Sequence, residues 1–251
     1  MEILCAYVRE NAKAEHLTLT EPTFTIKAPR IDIQKAMDVI KRRSAAQKAL
    51  EAIARYRLDL RSVDFDGVDL SKGDLSGAIL VRSRFEGASL EHTNLTGSQM
   101  QGCLLNCARW HGVKLRGTFL DHCTLNRPKP TPGGFNEYGP TMGGIDGLSV
   151  IASDLTAISY FGENPETIFG SRDTQLSHAM DELRKTASSL FRSREAAERR
   201  KDLTKIAEYD AELSTNSFKH WVPFDGSDMA VGHYHAKRFT ALGLTGWPID
   251  D

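Results

Sequence analysis

Large apolar residues recur at every fifth position through the middle of this chain of 251 residues. The series runs without interruption and has fourteen members. They are Leu60, Phe65, Leu70, Leu75, Leu80, Phe85, Leu90, Leu95, Met100, Leu105, Trp110, Leu115, Leu120 and Leu125. We call them the central residues and predict that they form the structural core of this segment.

A period of five fits neither of the regular secondary structures. On an α-helix, a step of five residues advances about 140° beyond a full turn, so the series winds around the helix and makes no stripe. On a β-strand, an odd step moves the side chain to the opposite face. The backbone must therefore turn once in every five residues. Glycines recur two residues after the central position, and they suit such turns because glycine tolerates a positive φ.

The five-residue units are similar to those of the pentapeptide-repeat family, whose consensus is A-[D/N]-L-x-x. Examples are VDFDG, VDLSK, GDLSG, AILVR, SRFEG, ASLEH and TNLTG. The resemblance covers residues 57–126 and implies a right-handed quadrilateral β-helix with about three and a half coils of twenty residues. Residues twenty apart are then expected to stack on one face, with neighbouring coils about 4.8 Å apart.

The whole chain is predicted to be mainly a β solenoid with flanking α-helices, divided into four regions. They are an N-terminal helical lead-in and cap (1–56), the pentapeptide-repeat β-helix (57–126), a Pro- and Gly-rich loop with an irregular last coil (127–160) and a C-terminal helical region (161–251). A cap is needed because an open end exposes apolar core and unpaired strand edges. In the last coil, Ile145, Val150, Leu155 and Tyr160 keep the phase of the repeats.

Two helical segments flank the repeats. Residues 32–56 are predicted to form the cap as one helix, with Asp32 as its N-cap. Its apolar residues at helical spacing are Met37, Ile40, Ala46, Leu50 and Ile53. Residues 174–213 are expected to form a helical hairpin, or one long helix, packed on the β-helix. A dimeric coiled coil, and hence a homodimer, is the alternative, although fewer than three clean heptads are present.

The aspartates that precede four successive central residues are predicted to bind turn backbone. They are Asp59, Asp64, Asp69 and Asp74. A calcium loop is not expected, because the loop pattern starting at Asp64 needs a glutamate at its twelfth position and Leu75 stands there. Cys103 and Cys123 lie one coil apart. A disulfide between them is conceivable, and free buried thiols that fill small sites are the preferred interpretation.

His233 and His235 form an H-x-H pair, and further polar residues are nearby in sequence. These are His220, Asp225 and Asp228. A metal site is not expected, because no third ligand lies at a diagnostic spacing. Neither a phosphate loop nor a G-x-S-x-G motif is present. We therefore predict no catalytic, cofactor-binding or metal-binding residue, and enzyme or effector activity in the C-terminal region stays only as an alternative.

Protein binding, as a scaffold or docking module, is the function that the sequence favours. The residues flanking the central positions are mostly polar, and clustered exceptions on such a face usually contact something. The exceptions define a candidate interaction face: Ile79, Val81, Leu104 and Phe119. We expect the C-terminal helix of the chain itself to cover this face. If it is bare, it is a site for a protein partner.

The alternative function comes from a branch of the family that mimics duplex DNA and binds type II topoisomerases. Such mimicry requires a strongly acidic surface. Residues 57–126 carry eight acidic and eight basic side chains, and the net charge of the chain is -1. Mimicry is therefore disfavoured, and direct binding of nucleic acid is not expected.

The expected location is a bacterial-type cytoplasm. No apolar run approaches the roughly 20 residues of a membrane-spanning helix, and four cysteines are too sparse for a disulfide scaffold. Some members of the family carry a similar helical lead-in behind a membrane anchor. An anchor upstream of this chain would make it membrane-associated.

Overall fold

The computed structural model describes residues 1–14, 28–125, 142–143, 147–156, 168–171, 173–216, 218, 235–237, 239–240 and 242–249. Five helices with assigned bounds lie in these residues: α1 (Glu2–Asn11), α2 (Ile31–Lys41), α3 (Ala45–Ile53), α4 (His178–Arg200) and α5 (Leu203–Thr215). The regular strands of this part are β1 (Val113–Lys114), β2 (Met142–Gly143), β3 (Asp154–Leu155) and β4 (Gln175–Leu176). Strand β1 pairs with β2, and β3 with β4, both in parallel.

Parallel β-bridges join residues twenty positions apart throughout the repeat segment. The bridges form four columns, which begin at Asp59, Asp64, Asp69 and Asp74. Backbone hydrogen bonds accompany them, as from Leu80 N to Gln99 O at 2.7 Å. Four columns in twenty residues mean that the chain turns once per five residues, as the period predicts. Because the chain turns after each bridge, the regular strands are only two residues long. Most of the residues in helices and strands with assigned bounds are therefore helical.

The fourteen central residues point into one continuous apolar cluster. Each is at most 5% exposed. The rings of Phe65 and Phe85, which are one coil apart, stack with centroids 5.0 Å apart. Side chains of equivalent residues in successive coils therefore pack on each other and exclude water from the middle of the segment.

Most residues two positions before the central residues are small and also lie inside, and several are polar. Thr93 Oγ1 donates to Leu70 O at 2.9 Å, and Thr118 Oγ1 donates to Leu95 O at 2.7 Å. The thiol of Cys103 occupies the equivalent place, 3.0 Å from the carbonyl of Leu80. Cys103 and Cys123 are both free and buried, so the preferred interpretation of these thiols is confirmed.

Every turn from residue 62 to residue 122 uses the left-handed backbone region two residues after the central position. The thirteen φ values lie between 56° and 69°, and seven of the thirteen residues are glycine. The predicted role of these glycines is confirmed. The predicted role of the aspartates is confirmed as well: Asp69 Oδ1 accepts from Ser71 N at 2.8 Å and Asp74 Oδ1 from Ser76 N at 3.1 Å.

Helix α2 satisfies backbone groups at the outer edge of the first coil. The Gln34 amide accepts from Asp69 N and donates to Asp69 O, both at 2.9 Å. Lys41 Nζ also donates to Asp69 O at 2.7 Å, and Lys41 O accepts from Asp74 N at 3.1 Å. Among the described residues no coil precedes this one, and the helix supplies partners for these groups instead.

The prediction of one helix over residues 32–56 is wrong, because the structure has two helices separated by a break between Lys41 and Ala45. Ser44 caps the second helix by accepting from Gln47 N at 3.1 Å, which gives α3 a start of its own. The N-cap of α2 is Arg30, without a side-chain cap. Asp32 lies in the first turn instead, where it binds Arg30.

The ladder continues beyond Leu125 with a longer step. Ser149 pairs with Phe119, and Asp154 pairs with Thr124, so the interval is thirty residues instead of twenty. Val150 and Leu155 are fully buried. Ile145 and Tyr160, which share their predicted phase, lie outside the described residues.

Helices α4 and α5 form a hairpin, one of the two arrangements predicted for residues 174–213. Lys201, with φ 58°, ends α4 in the left-handed region. An ion pair between Arg194 and Asp210 joins the two helices at 2.5 Å. Leu213 and Met180 belong to the same apolar cluster as the central residues. No helix in the described part of the chain is both long and apolar enough to cross a lipid bilayer.

Candidate functional site

The predicted interaction face is partly buried. Its residues Ile79, Val81, Leu104 and Phe119 all have intermediate exposure. The Phe119 ring packs on two side chains from helical residues near the C-terminus, with centroids 4.7 Å from His235 and 5.6 Å from Phe239. This end of the face is thus in contact with the chain itself.

The C-terminal tail, residues 242–249, lies across a column of glycines. Gly77, Gly97 and Gly117 are spaced by one coil, and Pro248 contacts the first two while Ile249 contacts the third. A Cβ atom added at Gly97 would lie 2.7 Å from the Pro248 carbonyl oxygen. The absence of side chains on this column is what lets the tail approach the backbone so closely.

Arg57 joins the tail to the repeats. Its guanidinium donates to Gly77 O and Gly97 O, both at 3.2 Å, and to Pro248 O at 3.0 Å. The same guanidinium lies 4.8 Å from the centre of the Trp247 ring, a cation–π contact. One side chain thus bridges two coils and the tail.

Gly97→Ala is expected to destabilise the fold more than Gly102→Ala. Both glycines have a positive φ, which disfavours alanine by about 1 kcal/mol. At Gly102 the nearest atom to an added Cβ is Arg82 Cγ at 3.6 Å, an ordinary contact. At Gly97 the added methyl group contacts the tail backbone, so the tail must also move.

The measurement for both variants is urea unfolding together with hydrogen exchange of residues 242–249. Equal unfolding free energies for the two variants would contradict this placement of the tail.

A groove of about 790 Å³ lies beside the tail. Its lining includes Phe119, His235 and Phe239, and a buried polar cluster borders it. In this cluster Ser149 Oγ donates to Asp121 Oδ1 at 2.5 Å and lies 2.7 Å from His235 Nε2. His235 Nε2 is 3.6 Å from Asp121 Oδ2. Sequence reasoning missed Asp121 and Ser149, because nothing in their local pattern distinguishes them from other polar residues next to central positions.

The polar cluster is not a nucleophile–base–acid relay. In such a relay the carboxylate binds the far nitrogen of the histidine, whereas Asp121 binds the serine hydroxyl itself. Ser149 is fully buried, so its oxygen is closed to a substrate. Burial raises the pKa of Asp121 and lowers the pKa of His235. A neutral imidazole with its proton on Nε2 donates to Ser149. The cluster thus acts as a hydrogen-bonded contact between His235, from the C-terminal region, and the stacked coils.

The predicted H-x-H pair is only partly described. His235 lies in the polar cluster, while His220, Asp225, Asp228 and His233 lie outside the described residues. Within the described ranges, no three His, Cys, Asp or Glu residues come close enough together to hold a metal ion.

Helix α3 presents its apolar side to solvent. Leu50 is 62% exposed and Ile53 is 82% exposed, although Met37 and Ile40 of α2 are fully buried. With Ala46 and Ala49, which are also exposed, these two residues form one stripe at helical spacing, the α3 apolar face. Helical periodicity predicted this stripe, but it did not show that the stripe faces outward.

The inner side of α3 is polar. Glu51, its buried residue, is paired with the buried Arg43 at 2.8 Å and also accepts from Gln47 at 3.0 Å. Lys48 pairs with Asp74 of the first coil at 2.8 Å. Because charged and hydrogen-bonded groups attach the helix to the repeats, its leucine and isoleucine remain free for another contact.

These features define a class of protein: a β-bridged stack of five-residue units with helices at its ends. Residues 59–127 match the pentapeptide-repeat family. The family model, described as "Pentapeptide repeats", matches in eight copies over residues 59–97, 74–106 and 93–127. No curated protein sequence matches the chain.

Several solved structures are similar to part of the chain. The pentapeptide repeat protein Rfr23 from the cyanobacterium Cyanothece 51142 is 18% identical, with a TM-score of 0.26 over 47% of this chain and 66% of that one. HetL, a pentapeptide repeat protein involved in heterocyst differentiation regulation from Nostoc sp. strain PCC 7120, is 20% identical, with a TM-score of 0.18 over 47% and 66%. QnrB1, a plasmid-mediated fluoroquinolone resistance protein, is 16% identical, with a TM-score of 0.25 over 49% and 64%. This chain thus spans about two thirds of the length of each.

Proposed function

We propose that the chain is a non-enzymatic protein-binding module in which the repeats act as a scaffold and α3 carries the partner-binding surface. The observation that carries this proposal is the orientation of α3. Leu50 and Ile53 of this helix face water, whereas its charged Glu51 is buried. The exposed apolar surface does not stabilise the folded monomer, and such surface is typical of a binding site. Docking of an apolar helix face against a partner is a common mode of protein recognition.

The scaffold in this proposal is a right-handed quadrilateral β-helix over residues 57–126. Four columns of bridges and one turn per five residues support four sides. Residues 1–56 and 161–251 flank it, and residues 127–160 include its irregular last coil. Such a stack holds α3 in a fixed position, which reduces the entropy lost on binding. A cytoplasmic location belongs to the same proposal.

The repeat face that the sequence singled out has a different role here. We assign Ile79, Val81, Leu104 and Phe119 to internal docking, because Phe119 packs on Phe239 and the tail lies along the neighbouring glycine column. The DNA-mimic alternative gains no support, since the repeats carry equal numbers of acidic and basic residues. The enzyme alternative gains none from the buried polar cluster at Ser149.

The test is a quantitative pull-down from a lysate of the source cell, with the full chain as bait. A Leu50→Glu/Ile53→Glu variant is compared with Leu203→Glu, a control on α5 where Leu203 is 78% exposed. The expected result is a protein retained by the native chain and the control, and reduced about tenfold or more by the α3 variant. Equal capture of every retained protein by all three baits would remove α3 from the proposal.

A further inference from the structure

We infer that the α3 apolar face binds an amphipathic helix whose flanking residues are acidic. This inference rests on the proposed function, because it names the partner chemistry of the same surface. It follows from the charges around the face and from the size of the residues within it.

The charged residues that are most exposed on α2 and α3, and in the short segments that follow each helix, are all basic. Between Ile31 and Arg55 they are Lys35, Arg42 and Arg55. The acidic residues of this stretch are less exposed and have partners: Asp32 pairs with Arg30, Asp38 with Lys41 and Glu51 with Arg43. Arg42 precedes α3 and Arg55 follows it. A partner on the α3 apolar face therefore meets a cation near each end of the helix, and acidic flanks complement these cations.

The size of the exposed residues favours a helix as the partner. Ala45, Ala46 and Ala49 leave the backbone of α3 open to close approach, and Leu50 and Ile53 project beside them. Small residues beside larger ones provide the grooves into which the ridges of another helix pack. Helix α3 has nine residues and is about 14 Å long, so it accommodates two to three turns of a partner helix.

The same features argue against two other occupants. If α3 of a second copy packed antiparallel on this one, Arg42 of one copy would approach Arg55 of the other, and like charges would meet at both ends. Helices that lie in a membrane interface carry Trp, Phe or Leu along the apolar side. The exposed side of α3 consists mainly of alanine, with one leucine and one isoleucine.

The test uses two fluorescent synthetic peptides of about 18 residues with the same leucine stripe at helical spacing. One has glutamate flanks and the other has lysine flanks. Anisotropy titrations with the full chain are expected to show the acidic peptide binding about tenfold or more tightly than the basic one, with added salt reducing the difference. Leu50→Glu is expected to weaken binding of the acidic peptide about tenfold, and Leu203→Glu is expected to leave it unchanged.

Charge reversal supplies a result that misfolding cannot mimic. Arg42→Glu/Arg55→Glu is expected to reverse the preference, so that the basic peptide binds more tightly than the acidic one.

Equal affinity of the native chain for both peptides would overturn the charge assignment. Binding of neither peptide would overturn the assignment of a helix as the partner. Self-association that Leu50→Glu abolishes would overturn the inference in favour of a second copy. Binding to phosphatidylglycerol vesicles that Leu50→Glu abolishes would overturn it in favour of a membrane. If the acidic peptide fails while the lysate protein still requires Leu50, the protein-binding function stands and only the partner chemistry falls.

Discussion

Phe85→Ala is expected to lower the free energy of unfolding by about 3–5 kcal/mol. Phe85 is fully buried and stacks on Phe65. The coils on both sides are fixed by hydrogen bonds, among them Phe85 N to Leu104 O at 2.8 Å and Phe65 N to Arg84 O at 2.9 Å. These bonds prevent the coils from collapsing into the space that the ring leaves, so little of the cost of the cavity is recovered by relaxation.

Phe85→Leu is the matched control for this prediction. Leucine occupies the next place in the same column, at Leu105, where it is 2% exposed. A leucine at position 85 is therefore expected to cost less than about 1.5 kcal/mol, because it nearly conserves the volume and shape of the core. Urea unfolding followed by circular dichroism measures both variants. If alanine and leucine cost the same, the interior at Phe85 is looser than the described packing.

Arg43→Met is the second substitution with a large expected effect, again about 3–5 kcal/mol. The Arg43 side chain is 2% exposed and pairs with Glu51, whose side chain is 8% exposed. It also donates to Ile40 O at 3.0 Å and to Asp74 O at 2.8 Å. Methionine keeps much of the apolar stem but leaves a buried carboxylate and two carbonyl groups without this donor. Removing one member of a buried ion pair is costly for that reason.

Arg42→Met is the control for Arg43→Met, since Arg42 is the preceding residue and is exposed. It is expected to change the unfolding free energy by less than about 0.5 kcal/mol. The two variants have the same composition, so a difference between them reports burial and partners. Thermal and urea unfolding give the free energies, and hydrogen exchange of residues 45–53 shows whether α3 separates first. Similar unfolding curves for the two variants would contradict the buried ion pair.

The repeat segment was predictable because its period rules out the alternatives. A spacing of five excludes both a helical stripe and a strand face, and the left-handed turns at Gly67, Gly77 and Gly87 follow from it. The outward side of α3 was not predictable in this way. Periodicity locates a stripe such as Leu50 and Ile53, but it does not say which side of the helix faces the protein.

Contacts between distant parts of the chain explain the remaining differences. The orientation of α3 depends on Arg43, which lies in the break between α2 and α3 and binds both Glu51 and the carbonyl of Asp74 in the first coil. The polar cluster joins Asp121 to His235, more than a hundred residues later. The glycine at position 97 serves a turn, and it also makes room for Pro248. A single sequence reveals the first of these roles and conceals the second.

The step of thirty residues between Phe119 and Ser149 shows that the height of the stack does not increase in proportion to the number of residues. One further layer of bridges is added there, as it is for every twenty residues before, although the connecting segment has ten residues more. The number of layers therefore does not depend on the number of residues in this interval. In terms of protein evolution, an interval of this kind can gain or lose residues while the supporting framework keeps its dimensions.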